Sequence, residues 1–109
     1  MDNMSERIQL FERTVINSVP EVERFGMYVN GGRLYLSDLS IYSGSRCNGY
    51  GSRVMEQVVN FGKKVGMDVY CIPSSDSDED ERLMRFYGRF GFEVERDYGC
   101  GVITMVKRV

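Results

Sequence analysis

The run Leu34-Tyr35-Leu36-Ser37-Asp38-Leu39-Ser40-Ile41, followed by Ser43-Gly44-Ser45-Arg46-Cys47-Asn48-Gly49-Tyr50-Gly51-Ser52-Arg53, decides how the chain folds. An apolar-rich strand enters a loop of small residues, and the loop opens directly into a helix with Val54, Val58, Phe61 and Val65 on one face. Gly66 is placed to stop that helix, and residues 67–72 read as a short buried strand ending at Pro73. A strand, helix, strand order demands a right-handed crossover, which makes the two strands parallel.

Working outward, Phe25, Met27 and Val29 alternate as in a half-buried strand, and Asn30-Gly31-Gly32 supplies the positive φ of a tight turn. Residues 24–41 therefore form an antiparallel hairpin. Before it, Ser5 is placed to cap a helix whose buried face carries Ile8, Phe11, Val15, Ile16 and Val19, with Pro20 closing it. After the parallel strand, a helix covers residues 79–90 with Leu83, Tyr87 and Phe90 at helical spacing, and Gly91 ends it. Residues 92–96 and 102–107 make a last hairpin around Tyr98-Gly99-Cys100-Gly101. The elements compose an α/β fold of the α+β type: a mixed, mainly antiparallel sheet with a central parallel pair, flanked by helices.

A length of 109 residues, without a linker or internal repeat, reads as one domain spanning 1–109. Sixteen acidic against 14 basic residues, with a pI near 5.2, gives no broad basic footprint and argues against general nucleic-acid binding. Zero histidines remove His-based triads, His-containing zinc sites and a His general base together. Cys47, Cys71 and Cys100 contain no C-x-x-C pair, so neither a disulfide framework nor a four-cysteine metal site is expected, and no metal. With no membrane span and no basic-then-apolar leader, the expected location is cytoplasmic.

Arg46-x-x-Gly49-x-Gly51 sits where a strand ends and a helix begins, so the first helical amides point outward without intrahelical partners. A diphosphate would be held by the backbone N–H groups of residues 49–53, with Arg46 and Arg53 as adjacent cations. The plainer alternative is a tight turn that needs glycine. A dinucleotide fingerprint does not fit, because its third glycine would fall at Val54, and no G-K-[ST] follows for a P-loop.

On these residues the sequence resembles the Gcn5-related N-acetyltransferase (GNAT) family. Asp38-Leu39-Ser40-Ile41 resembles its central strand, Arg46-Cys47-Asn48-Gly49-Tyr50-Gly51 its R/Q-x-x-G-x-G/A acetyl-CoA loop, and Leu83 to Phe92 its A-x-x-x-Y-x-x-x-G-F segment. The resemblance covers residues 34–109, and the part before the hairpin is shorter than family members commonly have. It implies that Leu39, Ile41, Arg46, Cys47, Asn48, Gly49, Tyr50, Gly51, Ser52 and Arg53 hold acetyl-CoA, the pantetheine arm lying between the central strand and the next. A strand amide near Ile41 would then polarise the thioester carbonyl.

The resemblance also implies roles for two side chains. Tyr87 falls where many members carry a tyrosine that donates to the leaving thiolate, the alternative being a core residue beside Leu83 and Phe90. Asp38 is the carboxylate on the central strand and the candidate base, the alternative being that it faces solvent or pairs with an arginine. Where members often have Asn seven residues before the tyrosine, this chain has Asp80. The acidic tract of residues 76–81 reads as a solvated helix start or as an attractant for a cationic acceptor. Tyr28, Tyr35, Tyr42 and Tyr50 are candidate walls on the acceptor side. The implied activity is acetyl transfer from acetyl-CoA to a primary amine by direct attack in a ternary complex. The rival is a non-catalytic acetyl-CoA-binding or protein-interaction module on the same fold, and a homodimer stays open.

Overall fold

The computed structural model describes residues 3–42, 44, 48–73, 79–98 and 103–109, with the backbone alone for 79–81. Helix α1 spans Met4–Ser18. Its cap is Asn3, whose side chain accepts the Glu6 N–H at 3.4 Å, rather than Ser5. Ile8 and Val15 are buried as expected, and the Phe11 ring stacks on Phe61 of the next helix at 4.3 Å and meets Phe25 edge-on at 5.8 Å. Ile16 departs from the expected face: a step of about 100° from Val15 leaves it 46% exposed.

Strands β1 (Val22–Asn30) and β2 (Arg33–Ile41) form the antiparallel hairpin. Gly31 and Gly32, at φ 60° and 77°, give the turn the two consecutive positive φ values that match strand twist. Val29, expected half-buried, is exposed near the tip of the hairpin. Helix α2 (Tyr50–Val65) buries Val54, Met55, Val58 and Phe61, and Gly66 ends it in the left-handed region. Strand β3 is Val69–Cys71, half the length expected, and it pairs parallel with β2. Helix α3 (Glu79–Gly88) stops before Phe90, and the chain turns through Arg89 to Gly91 into β4 (Glu93–Asp97) and β5 (Ile103–Lys107).

The sheet order is β1-β2-β3-β5-β4, with β2·β3 the one parallel pair and the others antiparallel. Leu34 and Val69 at its centre, and Val54 and Val58 of α2, are fully buried. A Cβ at Gly62 would lie 2.7 Å from Val69 Cγ2, so α2 sits directly on β3 and anchors the crossover. No described helix is long and apolar enough to cross a membrane.

Candidate active site

The site begins with one extra residue. Met27 pairs with Leu36 and Gly26 with Asp38, so Ser37 is a bulge in β2. A bulge bends its strand and increases the local twist. The parallel ladder to β3 ends at the same point: its last pair is Leu36 with Cys71, whereas β2 continues along β1 to Ile41. Beyond that vertex, the edge of residues 38–40 that faces away from β1 has no strand partner among the described residues. Leu39 and Ile41 lie beyond the divergence, three and five residues past Leu36.

The α2 N-terminus forms a second part of the site. Gly49 caps α2 at φ 80°, without a side-chain cap bond, and no described atom lies within 4 Å of the place its Cβ would take. A side chain there would be strained as well as filling that opening. The first helical bond runs from Arg53 N–H to Gly49 O at 3.1 Å, and no acidic residue sits in the first turn. Tyr50 and Ser52 are half-buried, and Asn48, Gly49 and Arg53 are exposed; the Arg53 N–H, expected to face a ligand, is instead taken up in that first helical bond. Gly51 serves a different need: its Cβ would meet the Phe86 ring of α3 at 3.2 Å, so it lets two helices approach. Arg46 and Cys47 lie outside the described residues.

Tyr87, on the last turn of α3, is the third part. Its ring touches Phe86 and Phe92 with centroids 5.4 and 5.7 Å apart, and no described group accepts from its hydroxyl. Burial pushes the phenol upward from its ordinary value, and negative charge on Cys71 and on Asp38 pushes it further. Three elements thus converge electrostatically at the vertex: α3 through Tyr87, β3 through Cys71 and β2 through Asp38. Cys71 is 2% exposed, and burial pushes its thiol up to about 12, which makes it a packing residue and no nucleophile. The Asp38 side chain is 47% exposed and lies 3.8 Å from Arg24 Nε, a contact that on an exposed pair contributes little.

The sequence pattern of the Acetyltransferase (GNAT) family matches residues 15–92, well over half of the chain. The chain belongs to that family. No curated protein matches it. Among solved structures, the PaiA N-acetyltransferase of Thermoplasma acidophilum, in complex with coenzyme A, is 16% identical with a TM-score of 0.63, covering 96% of this chain and 72% of that one. Arabidopsis thaliana Naa50, in complex with the bisubstrate analogue CoA-Ac-MVNAL, is 20% identical with a TM-score of 0.56, covering 78% of this chain and 61% of that one. The anti-CRISPR protein AcrVA5 is 20% identical with a TM-score of 0.59, covering 74% of this chain and 85% of that one. This chain therefore spans less than two thirds of Naa50 and most of AcrVA5. Likeness at these identities is one of fold.

The GNAT fold brings Asp38 and Tyr87, 49 positions apart in sequence, within electrostatic range of each other. The four tyrosines expected along an acceptor wall do not form one. Tyr28 and Tyr35 stack at 5.1 Å and continue to Tyr70 at 5.6 Å, where Arg33 lies 4.5 Å over the ring. Tyr42 is exposed beyond the strand end, and Tyr50 opens α2. Sequence reasoning missed the bulge and the Phe86–Gly51 contact. Both left a trace: apolar residues at 34, 36, 39 and 41 break strict alternation by one residue, and Phe86 is the aromatic left off the Leu83–Tyr87–Phe90 stripe. The side chains of the acidic tract, residues 76–81 with Asp80 among them, fall outside the described ones. Among the described residues no group of His, Cys, Asp or Glu could hold a metal ion.

Proposed function

We propose that the chain, as one domain over its 109 residues, is an acetyl-CoA-dependent N-acetyltransferase acting on a primary amine of a small molecule or protein by direct attack in a ternary complex. The observation that carries this reading is the parting of β2 and β3 beyond Leu36–Cys71, with the buried Tyr87 within electrostatic range of both Cys71 and Asp38. The residues present suit acetyl-CoA: the edge of β2 past Ser37 offers backbone groups to the amides of an extended arm, and the opening at Gly49 admits a diphosphate against uncapped helix amides. When bound, acetyl-CoA supplies the thioester carbonyl that the amine attacks.

The protein's own groups then manage protons and position. Asp38, at the mouth and open to solvent, accepts a proton from the amine directly or through water. Amides of β2 beside the vertex donate to the carbonyl oxygen as charge builds on it. Tyr87 holds its hydroxyl proton at neutral pH and donates it to the departing sulfur. The need for that donor follows from Cys71: burial that raises one thiol at the vertex to about 12 also makes a thiolate leaving there strongly basic.

The test is thiol release from acetyl-CoA over a panel of primary amines, with mass spectrometry of the acceptor. Amine-dependent release with a 42 Da gain on the amine supports the reading (roughly one acetyl replacing one hydrogen). Saturable acetyl-CoA binding without release over a panel spanning polyamines, aminoglycosides, lysine side chains and peptide N-termini would favour the non-catalytic module.

A further inference from the structure

The proposed function leaves one face of the sheet unused. Tyr28 pairs with Tyr35 across β1 and β2, and Tyr35 with Tyr70 across β2 and β3, so the three tyrosines share that face. Their strand neighbours Leu34 and Val69 point the other way, to the side where Gly62 of α2 meets Val69. The helices pack together on that second side: Phe11 of α1 stacks on Phe61 of α2 at 4.3 Å, and Phe86 of α3 lies against Gly51 of α2. No described helix covers the tyrosines, and Tyr28 is 44% exposed.

The same face carries Asp38. Alternation along β1 puts Gly26 on the side of Tyr28, and Asp38 is its partner across the pair. A Cβ at Gly26 would accordingly lie 3.0 Å from Ser37 Oγ and 3.8 Å from Asp38 Cβ, and Arg24, two residues back from Gly26, reaches the Asp38 carboxylate at 3.8 Å. The bulge at Ser37 is what keeps Asp38 on this side although it stands three residues from Tyr35. At about 3.3 Å per residue, the two are no more than about 10 Å apart along β2.

The tyrosines are fixed before any partner arrives. Tyr28 and Tyr35 stack at 5.1 Å, Tyr70 follows at 5.6 Å, and Arg33 lies 4.5 Å over Tyr70 while donating to Glu95 at 3.1 Å. Glu95 also accepts from the Thr104 hydroxyl at 3.0 Å. Rings held this way lose little freedom on binding, and tyrosine is among the residue types that anchor protein interfaces. Arg33 and Arg24 each face a carboxylate, so neither is a free cation for a nucleic-acid backbone. A pocket for a small molecule is concave and encloses its ligand, whereas this face is open and Asp38 is 47% exposed. An open aromatic surface continuous with the base suits a polypeptide laid across it.

We infer that the Tyr28–Tyr35–Tyr70 face docks the acceptor, and that the acceptor is a lysine of a polypeptide with aromatic or apolar side chains about three positions away. An extended chain also rises about 3.3 Å per residue, so with the lysine at Asp38 the side chain over Tyr35 belongs about three residues along. This inference rests on the acetyl-transfer reading and narrows its acceptor from any primary amine to a protein lysine.

The experiment compares thiol release from acetyl-CoA with two blocked peptides, each carrying one central lysine, flanked three positions away on both sides by tyrosine in one peptide and by serine in the other. Wild type is expected to show a kcat/KM roughly tenfold higher for the tyrosine peptide. Tyr28→Ala, shown folded by circular dichroism, should erase the preference by slowing the tyrosine peptide alone. Equal wild-type values for the two peptides would overturn the inference, a comparison that needs no variant, and so would equal slowing of both peptides by Tyr28→Ala. Turnover of free polyamines or aminoglycosides with neither peptide acetylated would overturn it and leave the transferase reading standing. Sedimentation showing a wild-type dimer that Tyr28→Ala splits would give the face to a second copy of the chain and overturn it as well. Absence of thiol release with every amine would remove the transferase reading itself, and this inference with it.

Discussion

Replacing Tyr87 with phenylalanine deletes one oxygen from the vertex and leaves everything else that holds the residue. The ring keeps its neighbours Phe86 and Phe92, and the Tyr87 carbonyl still accepts the Phe90 N–H at 3.0 Å, so the turn into β4 survives. The hydroxyl has no described partner to orphan, so the change in unfolding free energy should stay within about 1 kcal/mol. The effect on rate is far larger. Positioned acid catalysis is worth about 10² to 10⁴, or roughly 3 to 5 kcal/mol of barrier. Burial, with the negative charge of Asp38 and, at pH high enough to ionise it, of Cys71, holds the phenol protonated beyond its ordinary range, so the donating form is fully populated from pH 6 to about 9. The ratio of wild-type to variant rates should accordingly be flat over that window. Single-turnover thiol release with saturating amine isolates the chemical step from product release. A variant that releases thiol at the wild-type rate in that assay would refute the assignment and make Tyr87 a core residue.

Asp38→Asn should lower turnover by about tenfold to a hundredfold and leave acetyl-CoA affinity intact, with the loss shrinking as pH rises and more free amine is present; a wild-type rate would return Asp38 to its contact with Arg24. Cys71 sets a pH limit on stability. Its folded thiol is raised, so its stabilising contribution is complete below the unfolded value of 9.0 and drains as pH climbs toward about 12, by up to about 4 kcal/mol. Urea midpoints should therefore fall less steeply between pH 9 and 12 in Cys71→Ala than in wild type, and parallel slopes would contradict the burial argument. Gly62→Ala places a Cβ 2.7 Å from Val69 Cγ2 and 3.0 Å from the Met67 carbonyl, against a strand that cannot yield easily. Overpacking of about 1 to 3 kcal/mol outweighs the gain in helix propensity of up to about 1 kcal/mol, and a raised Tm would show that α2 does not sit on β3 as described.

The order of elements was legible because each carries its own period and its own punctuation. Val54, Val58 and Phe61 mark a buried helical face, Gly66 stops it, and Gly31-Gly32 closes the hairpin in the turn class expected. Ends were less legible. Asn3 is the cap because the helix already begins at Met4, which puts Ser5 inside it and Asn3 three residues before the Glu6 amide, and β3 contracts to three residues because its partner strand bulges at Ser37 just past the last pair. The chemistry of the vertex depended on the family resemblance, since nothing local in Ser37-Asp38 or Phe86-Tyr87 says that the two segments come within electrostatic range. Their placement is set by the sheet order and by the crossover that lays β3 beside β2, a property of topology. Gly51 shows the limit on the other side: its glycine fits a cofactor motif, yet the nearest atoms belong to Phe86, so the residue works first in helix packing.

The account turns on one place, the vertex bounded by Ser37, Cys71 and Tyr87, and a crystal structure of the protein with coenzyme A examines it directly. The account predicts the arm along the edge of residues 38–40, the diphosphate at the opening by Gly49, and the sulfur within hydrogen-bonding reach of the Tyr87 hydroxyl. Coenzyme A bound with its sulfur away from Tyr87, or with its diphosphate away from the first turn of α2, would contradict it.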